Sequence, residues 1–103
     1  QGEGLMDNIF EIEDNARRKI HLSKERWNHI NQDHPEMANY IEEIKETLQR
    51  PDKTITFSFD KNIKYCYKYF KNRTSSAKYL LAIVNYLNGE GYIITSYFVR
   101  HIK

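Results

Sequence analysis

Residues 54–71, TITFSFDKNIKYCYKYFK, contain the alternation that decides the fold. Every second residue from 55 to 59 is a large apolar side chain, and hydroxyl side chains occupy the positions between them. This period of two is typical of a strand with one covered face. The polar residues 60–62 interrupt it, and a tyrosine-rich run follows. The stretch therefore predicts a β-hairpin of strands 54–60 and 63–71.

Two more strands are predicted toward the C-terminus, over residues 78–87 and 92–102. The polar segment 72–77 connects them to the first hairpin, and residues 88–91, Asn-Gly-Glu-Gly, predict a tight turn between them. The four strands are consecutive and their connections are short. They predict an antiparallel meander.

Two helices are predicted before the strands. Ser23 offers a side-chain oxygen to cap a helix that ends near residue 32 or 33. Pro35 begins a second helix, because proline is tolerated at a first helical position. Pro51 and Asp52 stop that second helix. Its apolar stripe consists of Met37, Tyr40, Ile41, Ile44 and Leu48.

A short hairpin is predicted ahead of the helices, from residues 9–13 and 19–22 around a turn at 14–16. The expected fold class is therefore α+β, with an N-terminal hairpin and two helices packed on a four-stranded antiparallel sheet. We interpret residues 1–5 as a remnant of the expression vector, with Met6 as the natural start. Residues 6–103 form a single domain in this interpretation.

The composition favours a globular, cytoplasmic protein. Of its 103 residues, 40% are hydrophobic and 29% are charged. No apolar run approaches the roughly 20 residues of a membrane span, so we expect no membrane association. The single cysteine, Cys66, lies in a predicted strand and has no partner for an internal disulfide. A lone thiol favours a reducing compartment.

Charge is divided unevenly along the chain. Residues 1–50 have a balance of −4 and residues 51–103 a balance of +6, and the basic half holds seven of the eight tyrosines. Lysines between aromatic rings supply phosphate attraction and base stacking. Tyrosines are equally common as plain strand residues, and lysines as protection for sheet edges. If the pattern serves RNA binding, the candidate residues are Lys64, Tyr67, Lys68 and Arg100.

Catalytic candidates cluster around the predicted break between the helices. Arg26, His29 and His34 lie within nine residues. The two histidines are five residues apart, about 140° around a continuous helix, and the break at Pro35 allows His34 to turn back. Imidazoles act as general acid and base near neutral pH, and a guanidinium stabilises charge on a phosphoryl group. Helix capping and turn filling are the structural alternatives. The five-residue interval does not suit a zinc helix, so no metal or cofactor is expected.

The last predicted strand supplies a second candidate group. Thr95 and Tyr97 point to one face, and Ser96 and Arg100 to the other. These hydroxyl residues are either ordinary strand residues or a phosphate-binding pair that faces the helix bearing His29.

Four segments carry a resemblance to a known family: LSKERWNHI at 22–30, His-Pro-Glu at 34–36, LQRPD at 48–52 and IITSY at 93–97. Together they resemble the phage-associated branch of the barnase–EndoU–colicin–RelE-like fold, over roughly residues 20–103. The resemblance implies N-terminal helices on an antiparallel sheet and a metal-independent ribonuclease, often a toxin or phage effector. It implies catalytic positions at Arg26, His29, His34, Thr95 and Tyr97.

The leading hypothesis is RNA cleavage by attack of the 2′-hydroxyl on the neighbouring phosphodiester, with one histidine as base and the other as acid. A non-catalytic RNA- or protein-binding module that uses the basic tyrosine-rich sheet is the alternative. A third hypothesis is an adaptor whose aromatic face docks an antitoxin-like protein.

Overall fold

The computed structural model describes residues 8–103 of the chain. A hairpin of β1 (Asn8–Glu13) and β2 (Lys19–Ser23) leads into helix α1 (Lys24–Asp33), the 3-10 helix η1 (Pro35–Asn39) and helix α2 (Ile41–Gln49). Four strands follow: β3 (Lys53–Thr56), β4 (Ile63–Tyr69), β5 (Tyr79–Leu87) and β6 (Glu90–Val99). The segment 1–5, interpreted above as a vector remnant, lies outside the described residues.

The strands form one six-stranded sheet in the order β1-β2-β6-β5-β4-β3. The α+β class and the antiparallel meander of the last four strands are confirmed. The predicted number of four strands is wrong, because the N-terminal hairpin extends the sheet. Strand β2 pairs in parallel with β6 through Ile20 opposite Gly91 and His21 opposite Tyr92. The sheet is therefore mixed rather than purely antiparallel.

Gly91 makes this parallel junction possible. A Cβ at position 91 would lie 2.9 Å from side-chain atoms of Val84 and Tyr86, and 3.1 Å from Ile20. Real Cβ atoms do not approach other atoms to 2.9 Å, so a larger residue here would collide with side chains of β5 and crowd Ile20 of β2. The observed turn between β5 and β6 is shorter than the predicted turn at residues 88–91. Asn88 and Gly89, both with positive φ, form a two-residue turn, and Gly91 belongs to β6.

Strand β3 ends at Thr56, four residues before the predicted end. The backbone from Phe57 to Ile63 forms a hydrogen-bonded connection: the Phe57 N–H donates to the Ile63 carbonyl at 2.9 Å, and the Ile63 N–H donates to the Asp60 carbonyl at 3.0 Å. Residues 55–59 therefore do not form one strand with a covered face, although their apolar side chains alternate. Phe59 is 88% exposed.

Helix α1 begins and ends close to the predicted residues, whereas the second α-helix begins six residues later than predicted. Ser23 caps α1, since its Oγ accepts a hydrogen bond from the Arg26 N–H at 3.0 Å. Pro35 begins a 3-10 helix, and the second α-helix starts only at Ile41. The apolar stripe of this region packs as predicted, with Met37, Ile44 and Leu48 in the core.

The two faces of the sheet differ. One face carries the core under the helices, including Ile20, Cys66 and Val84. The opposite face, which we call the tyrosine face, carries six of the eight tyrosines according to the strand register: Tyr65, Tyr67, Tyr69, Tyr79, Tyr92 and Tyr97. Between residues 8 and 103, no helix is long and apolar enough to cross a membrane.

Candidate active site

Helix α1 places its polar side next to the tyrosine face. The helix packs against β2 and β6, and its Trp27 and Ile30 contact the core. His29 follows Trp27 by two residues, about 200° around the helix, so it lies on the side away from the core. Arg26 is three residues before His29 and shares that side. Both side chains are exposed, as the sequence predicted.

His34 ends α1 and leaves the helical path. Its φ of −138° and ψ of 76° turn the chain, while its N–H still donates to the Ile30 carbonyl at 2.7 Å. The imidazole stacks on the ring of Tyr97, with 4.5 Å between centroids and 23° between planes. The predicted turn at Pro35 therefore brings His34 to the last strand. An aromatic stack of this geometry contributes about 0.5–1.5 kcal/mol and fixes the orientation of the imidazole.

Thr95 lies on the same face of β6, two residues before Tyr97, and is half-buried. Ser96 between them points to the core, where its Oγ donates to the Leu81 carbonyl at 2.8 Å. The predicted division of the strand is confirmed for these three residues. Arg100 follows the end of β6 and is exposed.

His29 is less closely attached to the site than His34. The nearest acidic atom to its Nε2 is Glu25 Oε2, at 3.9 Å. In the described part of the chain no hydrogen bond or ring contact joins His29 to His34 or Tyr97. A substrate group that engages both histidines would therefore have to span from the exposed side of α1 to the end of that helix.

Arg26 lines a pocket of about 350 Å³ at the β2–β6 junction. The other lining residues are Asn8, His21, Ser23, Tyr92 and Ile93. A guanidinium at the rim of an open pocket is suited to bind a phosphate. The pocket and the His34–Tyr97 stack both lie along β6 on the tyrosine face.

Sequence reasoning missed His21 and Glu90. His21 stacks on Tyr92 with 5.0 Å between centroids, and its Nε2 lies 2.5 Å from Glu90 Oε1. Its Nδ1 lies 3.6 Å from Glu11 Oε2. These contacts cross β1, β2 and β6, so His21 ties the N-terminal hairpin to the sheet beside Arg26. The sequence did contain an indication of this role. His21 lies between the apolar residues Ile20 and Leu22, so it faces away from the core once β2 is known to be part of the sheet.

The predicted RNA-binding residues are divided between the two faces. Lys64 and Lys68 share the sheet face of Cys66. Lys64 Nζ donates to Thr56 Oγ1 at 2.8 Å, and Lys68 Nζ donates to the Arg50 carbonyl at 3.0 Å. The expected interleaving of these lysines with tyrosine rings is therefore absent from β4, because adjacent residues of a strand point to opposite faces.

Tyr67 lies on the tyrosine face but is only 1% exposed. Lys103 lines a pocket with it, and burial raises the pKa of the Tyr67 phenol. A base cannot stack on this ring unless the C-terminal residues move. RNA binding by these residues stays a prediction, and Tyr67 and the two lysines do not form one surface.

Residues 8–103 contain no group of three or more His, Cys, Asp or Glu side chains arranged to hold a metal ion.

No curated protein and no solved structure matched the chain significantly. Residues 4–101 match the family model described as phage-Barnase-EndoU-ColicinE5/D-RelE like nuclease2, which confirms the resemblance carried by the four segments, and the chain belongs to that nuclease family.

Proposed function

We propose that this protein is a metal-independent endoribonuclease whose active site lies where α1 borders the tyrosine face. The observation that carries the proposal is the stacking of His34 on Tyr97, 4.5 Å apart, at the end of the helix that presents Arg26 and His29. The family is described as a nuclease family, which supports the reaction class.

The proposed reaction is a transfer of the phosphodiester from the 5′-oxygen to the 2′-oxygen. One imidazole, in its neutral form, takes the proton of the 2′-hydroxyl while the 2′-oxygen forms a bond to phosphorus. The bond from phosphorus to the 5′-oxygen breaks, and the other imidazole, as imidazolium, gives its proton to that oxygen. The products are a 2′,3′-cyclic phosphate and a 5′-hydroxyl, and the protons balance without a metal or another cofactor.

Three other side chains assist the two histidines in this proposal. The Arg26 guanidinium stabilises the negative charge that grows on the non-bridging oxygens. The Thr95 hydroxyl donates a hydrogen bond to the same phosphate. Tyr97 holds the His34 ring in its stack and presents its hydroxyl beside the phosphate.

The test is cleavage of single-stranded RNA by the purified protein in excess chelator. We expect products with 2′,3′-cyclic phosphate ends, and no cleavage where deoxyribose replaces ribose at the scissile position, because the nucleophile is then missing. Cleavage that stops on addition of chelator would contradict the mechanism. RNA binding with no cleavage of any substrate would favour the non-catalytic module instead, and an aromatic face that binds only protein would favour the antitoxin-like partner.

A further inference from the structure

An aromatic cleft lies at the connection between β3 and β4, away from the candidate active site. Its volume is about 280 Å³, and Ile55, Phe57, Tyr65 and Lys103 are among the residues that line it. The Phe57 and Tyr65 rings are nearly parallel, at 16° and 5.9 Å between centroids. Phe59 stands beside Phe57 at 5.6 Å and 64°. The Phe57 and Tyr65 rings therefore line the opening, and Phe59 extends this aromatic surface beyond it.

Backbone hydrogen bonds hold Phe59 in its exposed position. Hydrogen bonds close the connection at both ends, and Asp60 Oδ1 accepts from the Asn62 N–H at 2.9 Å. Phe59 is 88% exposed on this hydrogen-bonded turn, so it contributes little buried apolar area to the fold. A ligand that covers this ring removes its apolar surface from water, which favours binding.

The cleft and the candidate active site belong to the same face of the sheet. The register places Thr95 opposite Ile83, Ile83 opposite Tyr65 and Tyr65 opposite Ile55, in one row across four strands. Neighbouring strands are about 4.8 Å apart, so Tyr65 lies about 10 Å from Thr95 along this row. An extended strand of nucleic acid that crosses the tyrosine face from Thr95 reaches the cleft.

We propose that this cleft binds an unpaired base of single-stranded RNA, which stacks against Phe57 and Phe59. The inference rests on the proposed function in taking RNA as the ligand. The flat rings fit a base because every base presents a π-face. Charge also favours a polyanion: Lys103 lines the cleft, Lys53 shares the face of Tyr67 through their pairing, and Lys61 lies in the connection.

The experiment measures binding separately from cleavage. The probe is a single-stranded 2′-O-methyl RNA oligonucleotide that contains 2-aminopurine and has no free 2′-hydroxyl to attack. We expect its fluorescence to be quenched on binding, and Phe59→Ala to weaken binding by about fivefold to 150-fold. Phe59→Leu keeps an apolar side chain but removes the ring, so it should also lose the quenching. Leu87→Ala is the matched control, because Leu87 is an exposed apolar residue at the turn between β5 and β6.

Each outcome has a separate meaning. Unchanged affinity and quenching in both Phe59 variants would overturn the base site, and so would wild-type affinity of Phe59→Leu, since a merely apolar surface would explain it. If RNA is cleaved normally while the Phe59 variants behave as the wild type, only the base site fails. If RNA is never cleaved but quenching depends on the Phe59 ring, the base site stands and the nuclease proposal fails.

Discussion

The substitution Tyr86→Phe removes one hydroxyl from a buried network that holds the N-terminal hairpin on the sheet. The Tyr86 hydroxyl donates to Asp14 Oδ2 at 2.7 Å. The same carboxylate accepts from the backbone N–H groups of Ala16 and Arg18 at 2.8 and 2.9 Å, and from Arg18 Nε at 3.0 Å. The Asp14 side chain is 2% exposed, so water cannot replace the lost donor.

The expected loss follows from the charge of the acceptor. Burial by itself raises the pKa of Asp14, but the hydrogen bonds from Tyr86 and from the backbone, with the Arg18 charge, outweigh it and lower that pKa. A hydrogen bond to a charged group contributes about 1.5–3 kcal/mol, so Tyr86→Phe should lower the free energy of unfolding by that amount at pH 7. Because folding lowers the pKa of Asp14 below its ordinary value of 3.8, the stabilising contribution of this carboxylate is fully present above that pH. It is lost as the pH falls through the folded-state pKa.

Urea unfolding of the wild type and Tyr86→Phe, from pH 7 downward, measures both effects. The difference between them should fall to about 0.5–1.5 kcal/mol once Asp14 is protonated, the value for neutral partners. Tyr69→Phe is the control, since Tyr69 is 47% exposed, and it should change stability by less than about 0.5 kcal/mol. A loss below about 0.5 kcal/mol at pH 7, or a loss that is constant across the pH range, would contradict a charged hydrogen bond between Tyr86 and Asp14.

Two further predictions concern the site. Tyr97→Leu should lower kcat more than it raises KM, because His34 loses its stacking partner. Tyr97→Phe should keep most of the rate if the ring rather than the hydroxyl orients His34, and steady-state kinetics of both variants separate these two roles. Arg26→Gln should reduce the slope of log affinity for RNA against log salt by about one, whereas Lys68→Gln should leave the slope unchanged, because Lys68 donates to the Arg50 carbonyl. Equal changes of slope in the two variants, in a titration from about 50 to 200 mM salt, would contradict this geometry.

Local patterns predicted most of the elements, because caps, turns and alternation act between residues close in sequence. The pairing of β2 with β6 was not predictable in this way. It joins Ile20 to Gly91, far apart in the chain, at a place where a Cβ on residue 91 would crowd Ile20, Val84 and Tyr86, and no period in the sequence indicates it. The exposure of Phe59 was missed for a related reason: the backbone of the connection turns before the alternation ends.

The site was predictable where the chain itself forces the geometry. Pro35 ends α1, so the turn that brings His34 to Tyr97 followed from the sequence. The positions of His21 and Lys68 depend on which face of each strand packs against the helices. The alternation within a strand does not by itself determine that face. His21 therefore emerged beside Arg26 only in three dimensions.

The most direct test of the account is the rate of RNA cleavage, in excess chelator, by His34→Ala, His29→Ala and the double variant. The control is His101→Ala, because His101 is exposed and follows the last strand. Each site variant should lower the rate by about 10²–10⁴-fold, and the double variant by less than the product, since an acid and a base that act in one step are not additive. His101→Ala should keep the wild-type rate, and urea unfolding should show that all variants are folded. Full activity in both His29→Ala and His34→Ala would contradict the proposed mechanism.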